Sequence, residues 1–392
     1  MVSRLRRTSD NAIRSAIAFG ANRLASSERL MGLVYDNMNE TNFAGLSHHE
    51  EMLSDGVRVG AYHRGIHRAV APGDVVLDVG TGTGLLAFMA SRAGARKVYA
   101  VEHSDFIEVA RDIGRRNGFT NVEFVQANSR EDISGAVVKA SAPVVVYGGA
   151  GGVTIPASAV GGNHLGVQMF PLETWGKRYV GAKVKQRNLS DKDYYRIVAS
   201  VDNTNVTIKS TTMLPAVPPL SKGQIYEFAT DADFVVESDQ PILVFQYMPA
   251  WGNLTGRYDP KEFPSGVSAR CPFIGTADDV KCLGDANITP LVPVEQYRND
   301  YIFYVPQTYS YDFINVTAAP DAKLSLDGQA ITTPFRGIAD GTIGRMIIRI
   351  EKPGNHRITS TKPFGLLGYG YAYATSYSYA GGLNLDKINP IE

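Results

Sequence analysis

Between Asp78 and Glu102 the chain sets two carboxylates and three glycines in a pattern suited to a nucleoside. The apolar run from Val75 reads as a strand that ends in Asp78-x-Gly80-x-Gly82-x-Gly84. Glycines at that point let the backbone turn sharply and approach a ligand closely. A second apolar run, Lys97–Val101, ends at Glu102, where an acid at a strand tip accepts hydrogen bonds from ribose hydroxyls. Dinucleotide pyrophosphate asks for G-x-G-x-x-G, whereas this loop is spaced G-x-G-x-G with an acid two residues before it. That spacing points to S-adenosylmethionine. Glycine spacing alone recurs by chance; the strand, Asp78 and Glu102 together make the case.

These groups need a strand–turn–helix frame. Leu85–Arg92 follows the loop as a helix, and Val75–Val79, Val98–Val101 and Val122–Val125 read as parallel strands of an α/β fold. Val144–Tyr147 is a candidate fourth strand. So short a parallel sheet leaves an apolar edge open. The expectation is that the rest of the chain covers it, or that this part is marginally stable.

Near Glu131 the composition breaks. Beyond it come short runs rich in Val, Ile, Tyr, Phe and Thr, such as Asn205–Ile208, Tyr301–Val305, Phe313–Thr317 and Met346–Ile350, separated by Gly, Pro, Asn and Asp. Asp327-Gly328 is the turn of a tight hairpin. This predicts an all-β, sandwich-like region. It carries an internal repeat: Val138–Gly148, Val236–Gln246 and Ile358–Tyr369 each place a Ser-containing turn and a proline (Pro143, Pro241, Pro363) before a strand ending in aromatics. The first copy lacks the upstream half of the others.

The 392 residues, 44% hydrophobic and 20% charged with a formal net charge of zero, suit two or three folded domains. The balance gives no reason to expect nucleic acid or an anionic membrane as partner. No apolar run is long enough to span a bilayer. Met1–Ser27, with Arg4, Arg6, Arg7, Arg14 and Arg23, reads as an amphipathic helix or an organelle transit peptide, without the apolar core of a secretory signal. Cys271 and Cys282 are two free thiols or one local disulfide, and no metal site is expected. Asn-x-Ser/Thr acceptors at Asn188, Asn205, Asn253, Asn287 and Asn315 fit secretion, or chance in a chain rich in Asn and Thr. His164 and His356 read as structural.

Residues 35–130 resemble the cofactor half of protein arginine methyltransferases. The resemblance is carried by His49-Glu-Glu-Met-Leu-Ser-Asp55-Gly-Val-Arg58, Tyr62-His-Arg-Gly-Ile66, Val76–Gly84 and Ala93–Glu102. It implies that Met52 packs near the cofactor and that Arg58 pairs with the methionyl carboxylate. It also implies that Asp78, Gly80, Gly82 and Gly84 form the loop, that Glu102 takes the ribose hydroxyls, and that Asn128 and Ser129 stand beside the adenine. The family's chemistry further needs a loop with two glutamates and a Thr-His-Trp loop, and neither is present. Glu173, Glu227, Glu237, Glu262, Glu295 and Glu351 are scattered through β sequence, Thr174-Trp175 lacks the histidine, and the aromatic helix is reduced to Tyr35–Asn39.

From Asp132 onward the chain is similar to the N-terminal domain of IgGFc-binding proteins, through Ser141–Gly149, Gln168–Gly176, Pro241–Tyr247, Pro293–Tyr297, Leu326–Gly328 and Tyr369–Gly382. That resemblance implies an extracellular adhesive module whose exposed tyrosines meet a protein or glycan partner.

The sequence thus predicts α/β plus all-β: an N-terminal helical segment (1–34), a truncated Rossmann-like S-adenosylmethionine-binding domain (35–131) and a β-sandwich-like region with internal repeats (132–392). The expected function is a methyltransferase-like protein fused to a β binding module. The competing expectation is a non-enzymatic adhesion protein carrying a relic methyltransferase fragment. The first implies the cytoplasm, the second the cell exterior.

Overall fold

The computed structural model describes residues 46–102, 104–126, 134–139, 146–157, 159, 162–251, 263, 283–384 and 386–389. The N-terminal helix, Tyr35–Asn39, Asn253, Glu262, Cys271 and Cys282 lie outside these. The chain divides into two compact units, one within Gly32–Gly149 and one whose described residues begin at Ala150.

The first unit runs α1 (Leu46–Ser54), α2 (Gly56–Ala69), β1 (Val75–Val79), α3 (Leu85–Arg92), β2 (Lys97–Glu102), α4 (Phe106–Arg116) and β3 (Val122–Gln126). Asp55 caps α2 by accepting the Arg58 amide at 3.0 Å. The strands form a parallel sheet in the order β1-β2-β3, with Asp78 opposite Ala100 and Val98 opposite Val122. Alternation then sorts the side chains. Val98, Ala100 and Val122 pack with Ala87, Phe88 and Ala90 of α3 and with Ile113 and Phe124. The opposite face leaves Val79, Tyr99 and Val125 exposed by 50%, 37% and 37%. Parallel strands ordinarily read as apolar on both faces because helices cover both; here the described helices pack against one.

The fourth strand expected at Val144–Tyr147 is corrected. Val144 and Val145 fall outside the described residues, and Tyr147 opens β4 (Tyr147–Val153), which pairs with β5 (Asn163–Gln168) and not with β1.

The second unit is antiparallel β. One sheet joins β6 (Gly176–Gly181), β7 (Asp193–Ala199), β8 (Val206–Ser210), β9 (Ile225–Thr230), β10 (Phe234–Met248) and β11 (Asn287–Pro290). A second joins β12 (Arg298–Val305), β13 (Tyr311–Ala318), β14 (Leu324–Leu326), β15 (Gln329–Ala330), β16 (Arg336–Ile338), β17 (Ile343–Ile350), β18 (Gly354–Ala372) and β19 (Thr375–Ala380).

The two sheets repeat one another. In each, a 3-10 turn after a proline (Leu172–Thr174 after Pro171, Val294–Gln296 after Pro293) leads into the first strand. In each, a long strand pairs first with that strand and then, past a bulge, with the next one: β10 with β6 then β7, β18 with β12 then β13. Pro241 and Pro363 sit in those bulges, where the missing N–H costs no ladder bond. A buried tyrosine closes each bulge. The Gly176 amide donates to Tyr179 Oη at 3.0 Å, and that hydroxyl donates to Ile242 O at 2.6 Å. The Arg298 amide donates to Tyr301 Oη at 3.0 Å, and that hydroxyl donates to Phe364 O at 2.8 Å. Of the first copy, the part carrying Pro143 lies outside the described residues.

A strap, residues 182–192, joins β6 to β7 and ties the sheets together. Asn315 Nδ2 donates to Ala182 O at 3.2 Å and Lys183 O at 3.1 Å. Arg345 donates to Lys183 O at 2.7 Å, and the Tyr371 hydroxyl donates to Lys185 O at 2.9 Å. Arg187 is wholly buried: it grips Asp191 with Nε and Nη2 at 2.9 and 3.1 Å and donates to Leu283 O and Pro249 O. Lys183 meets Asp193 at 2.7 Å. Burial raises the Asp191 carboxyl, but Arg187 and Lys183 outweigh it and hold the pKa down to about 2. Gly284 passes so close that a Cβ would stand 2.7 Å from Arg187 Nη1, and its φ of +76° suits glycine.

Two predictions follow from this packing. Tyr179→Phe, which strands the Gly176 amide and the Ile242 carbonyl, should cost about 1–3 kcal/mol in urea denaturation, and Tyr301→Phe the same; unchanged midpoints would refute the closing role. Buried Asp285 follows Gly284, and burial pushes its carboxyl up to about 6 against the Ala286 amide and Arg187. The folded state therefore holds that proton more tightly, and its contribution to stability is full below about pH 3.8 and lost as pH rises through about 6. Asp285→Asn should raise stability near neutral pH by on the order of 2–3 kcal/mol and leave it nearly unchanged in acid. Thermal melts across that range measure both limbs.

Candidate functional site

At the end of β1 the chain is pulled onto β2: the Gly80 and Thr81 amides both donate to Val101 O, at 2.8 and 3.0 Å. The turn ends at Gly84, whose φ of +85° sets the N-cap of α3. The Thr81 hydroxyl donates to Asp78 Oδ2 at 2.6 Å. Burial raises the Asp78 carboxyl above its ordinary range and nearby Glu102 adds to this, while the Thr81 hydroxyl and the Ala87 amide of α3 oppose it.

Glu102 closes the loop from the other side. Its Oε2 accepts the Gly82 amide at 2.8 Å, and its Oε1 accepts the Ser104 amide and hydroxyl, both at 3.0 Å. Asp78 at the tip of β1, the glycine turn and Glu102 at the tip of β2 thus form one cradle. A Cβ on Gly82 would lie 2.7 Å from the His49 ring, so glycine is required for that approach. His49 also packs on Phe106, with ring centroids 4.0 Å apart. Nothing lies within 4 Å of a Cβ built on Gly80, which leaves open space above that turn.

The remaining predicted ligands are placed more loosely. Met52 is half-buried on α1. Arg58 is exposed on α2 with its guanidinium 6.0 Å from the centre of the Tyr62 ring, and no described hydrogen bond joins it to the cradle. Asn128 and Ser129 lie outside the described residues. His49, Thr81 and Ser104 are cradle residues that the spacing of glycines and acids did not single out. Ser104 carries a local signal, a hydroxyl two residues beyond the strand-tip acid. Among the described residues no group of His, Cys, Asp and Glu is arranged to hold a metal, and no helix is long and apolar enough to cross a membrane.

A family model described as IgGFc binding protein matches residues 118–370, well over half of the sequence. The chain belongs to the IgGFc-binding protein family. A second model, a methyltransferase domain, matches residues 71–146. Over the same N-terminal part the chain is 46% identical across 93 residues to protein arginine N-methyltransferase PRMT10 of Oryza sativa subsp. japonica, covering 23% of this chain and 24% of that protein. It is 43% identical across 94 residues to the PRMT10 of Arabidopsis thaliana. A crystal structure of PRMT6 with SAH aligns at 36% identity with a TM-score of 0.21, over 21% of this chain and 25% of that one. The chain therefore spans about a quarter of the length of the curated relatives it matches. The IgGFc-binding match thus covers most of the strand-rich region, and the methyltransferase matches lie in the N-terminal part.

The β unit engages the acids and tyrosines that the sequence left unassigned. Glu295 accepts the Lys177 and Arg178 amides at 2.9 and 3.1 Å. Glu227 pairs with Arg196, Glu237 with Lys209, Glu351 with Arg349, and Glu173 with Lys387. Thr174 and Trp175 belong to a repeat turn, where the indole N–H donates to Phe170 O at 3.1 Å. His356 bridges Asp327 and Lys352 O and stacks on Phe303. The expectation of exposed tyrosines is corrected for the cluster within Tyr369–Gly382: Tyr369 and Tyr371 are wholly buried, and Tyr377 and Tyr379 cover the backbone of Gly370 and Gly368. Only Tyr373 of that cluster is exposed.

Two of the predicted glycan acceptors are also buried. Asn315 spends its amide on the strap, and the Oδ1 of Asn188 accepts from Ser190. Asn205 is exposed, with its amide on Asp239. Folded chain recovered from a secretory expression host should carry no glycan at Asn188 or Asn315. Peptide mapping after enzymatic deglycosylation reads this, and a modified Asn315 in folded material would contradict the packing described.

Proposed function

We propose that the α/β segment is an S-adenosylmethionine-binding element and that the chain holds the cofactor without the machinery for arginine methylation. The observation that carries this is the Gly82 amide held by Glu102 at 2.8 Å, which puts the glycine turn and the strand-tip acid in one cradle. The residues fit the group. The adenosyl ribose offers hydroxyls to the Glu102 carboxylate, and the open side of Gly80 admits a chain close to the backbone. Arg58 is the guanidinium that takes the methionyl carboxylate, swinging from its exposed place over Tyr62. Bound there, the cofactor supplies an electrophilic methyl group.

What this chain's own residues do is bind and orient. Arginine methylation needs paired carboxylates to hold the guanidinium, and each described glutamate beyond residue 131 is already engaged within the β unit. The 35–131 and 132–392 segments are read as a cofactor-binding piece and a binding module that meet near Glu131.

The competing reading, an adhesive β protein carrying a relic fragment, is favoured by the extent of the IgGFc-binding match. Calorimetric titration with S-adenosylmethionine and S-adenosylhomocysteine separates the two. The expected result is micromolar binding of both, weakened at least about tenfold in Glu102→Ala and in Arg58→Ala. Affinity unmoved by both substitutions, or no binding by folded protein, overturns the cofactor reading and leaves the β module to define the function.

A further inference from the structure

The strap that ties the two sheets also walls a cleft of about 720 Å3, completed by the turn at Thr212, the turn at Asp231 and the β16–β17 pair with Arg336 and Arg345. Five basic side chains and two aspartates line it. Lys183, Arg187 and Arg345 are neutralised by Asp193, Asp191 and Asp233. The Arg336 side chain is exposed and makes no hydrogen bond or ion pair with a described residue, acting on Asp233 only through space.

Apolar side chains stand at the rim. Leu189 is 95% exposed, and Met213, next to Thr212 of the wall, is 99% exposed. Leu189 is held out by its neighbours: Asn188 Oδ1 accepts the Ser190 amide at 3.0 Å and the Ser190 hydroxyl at 2.8 Å, and the Asp191 amide donates to Asn188 O at 3.1 Å. The buried Arg187–Asp191 pair fixes the base of that turn. A pinned turn presenting a leucine to water loses little further freedom on docking.

We infer that this cleft binds an extended acidic segment of a partner protein, with a carboxylate on Arg336 and apolar side chains on Leu189 and Met213. Charge complementarity selects the sign: five basic side chains line the cleft against Asp231 and Asp233 of the lining and Asp191 and Asp193 behind it, and Arg336 is ion-paired with none of these. The apolar rim selects peptide: removing Leu189 and Met213 from water favours association, and among the described residues no aromatic ring lines the cleft to stack a sugar. The proposal rests on the reading of the β unit as a binding module and does not depend on the cofactor site.

The test uses the full chain and a short fluorescein-labelled peptide of alternating leucine and glutamate, followed by fluorescence anisotropy. Saturable binding is expected, falling with added salt. It should weaken at least about tenfold in Arg336→Glu and, separately, in Leu189→Ser. Both side chains are exposed, so thermal melts of the variants should match the parent. The same peptide with lysine in place of glutamate should fail to bind. Equal affinity in both variants overturns the cleft while leaving a binding module elsewhere on the β unit. Equal binding of the lysine peptide overturns the charge argument, and binding of a sulfated oligosaccharide in place of either peptide assigns the cleft to a glycan. No binding of any probe overturns the proposal and removes its support for the module.

Discussion

The β unit depends on a strap that has no ladder of its own. Residues 182–192 cross between the sheets, and buried backbone groups outside a ladder must find partners elsewhere. They find them on both sheets: Asn315, Arg345 and Tyr371 of the second bond to strap carbonyls and the Lys185 amide donates to Tyr369 Oη, while Gln246 of the first donates to Ala182 O and the Val184 amide donates to Asp193. The charges follow the same logic. Arg187 and Lys183 are buried only because Asp191 and Asp193 stand against them and because backbone carbonyls take the remaining guanidinium protons. Such a pair contributes little net stability when intact, but breaking one costs about 3–5 kcal/mol, so the strap behaves as an all-or-none tie. Val184 joins the aromatic cluster of Tyr311, Phe313, Tyr369 and Tyr371, which extends the same junction with apolar area.

The repeat explains why the junction falls where it does. Each copy spends one long strand on two partners in turn, and the switch between them needs a bulge. Proline supplies a residue with no N–H to lose, and a buried tyrosine hydroxyl bonds to the carbonyl that follows it. Glu295, from the turn that opens the third copy, accepts two amides of β6 in the second. β4 and β5 pair as β10 pairs with β11 and β18 with β19, the terminal half of a copy.

Much of this was legible in the residues. The strand, glycine turn and strand-tip acid of the first unit are local, and local spacing specifies them. The second and third repeat copies showed themselves through proline and the aromatics after it. The strap did not: an arginine four residues before an aspartate in polar sequence reads as a solvated loop, and only the approach of two distant sheets buries it. The tyrosines misled for a related reason. Tyr369-Gly370-Tyr371 alternates as a half-exposed strand should, yet the glycine side is roofed by Tyr377 and Tyr379 from β19, and the tyrosine side faces the inter-sheet cluster. Alternation tells two faces apart; it does not tell which of them meets water.

The first unit shows how little of a parallel α/β fold a cradle requires. Asp78 and Glu102 stand at the tips of adjacent strands one crossover apart, so β1, β2 and the helix between them fix their separation. β3 buttresses β2 through Val122, and α3 and α4 fill the side that Phe88 and Ala100 share. Further strands would add groups to grip a second substrate and cover Val79, Tyr99 and Val125, but they would not move the cradle. Binding geometry and reaction geometry are therefore separable in this architecture. The first is written into the turn after β1, and the second belongs to elements beyond β3, where the next described strands, β4 and β5, form a separate two-stranded sheet.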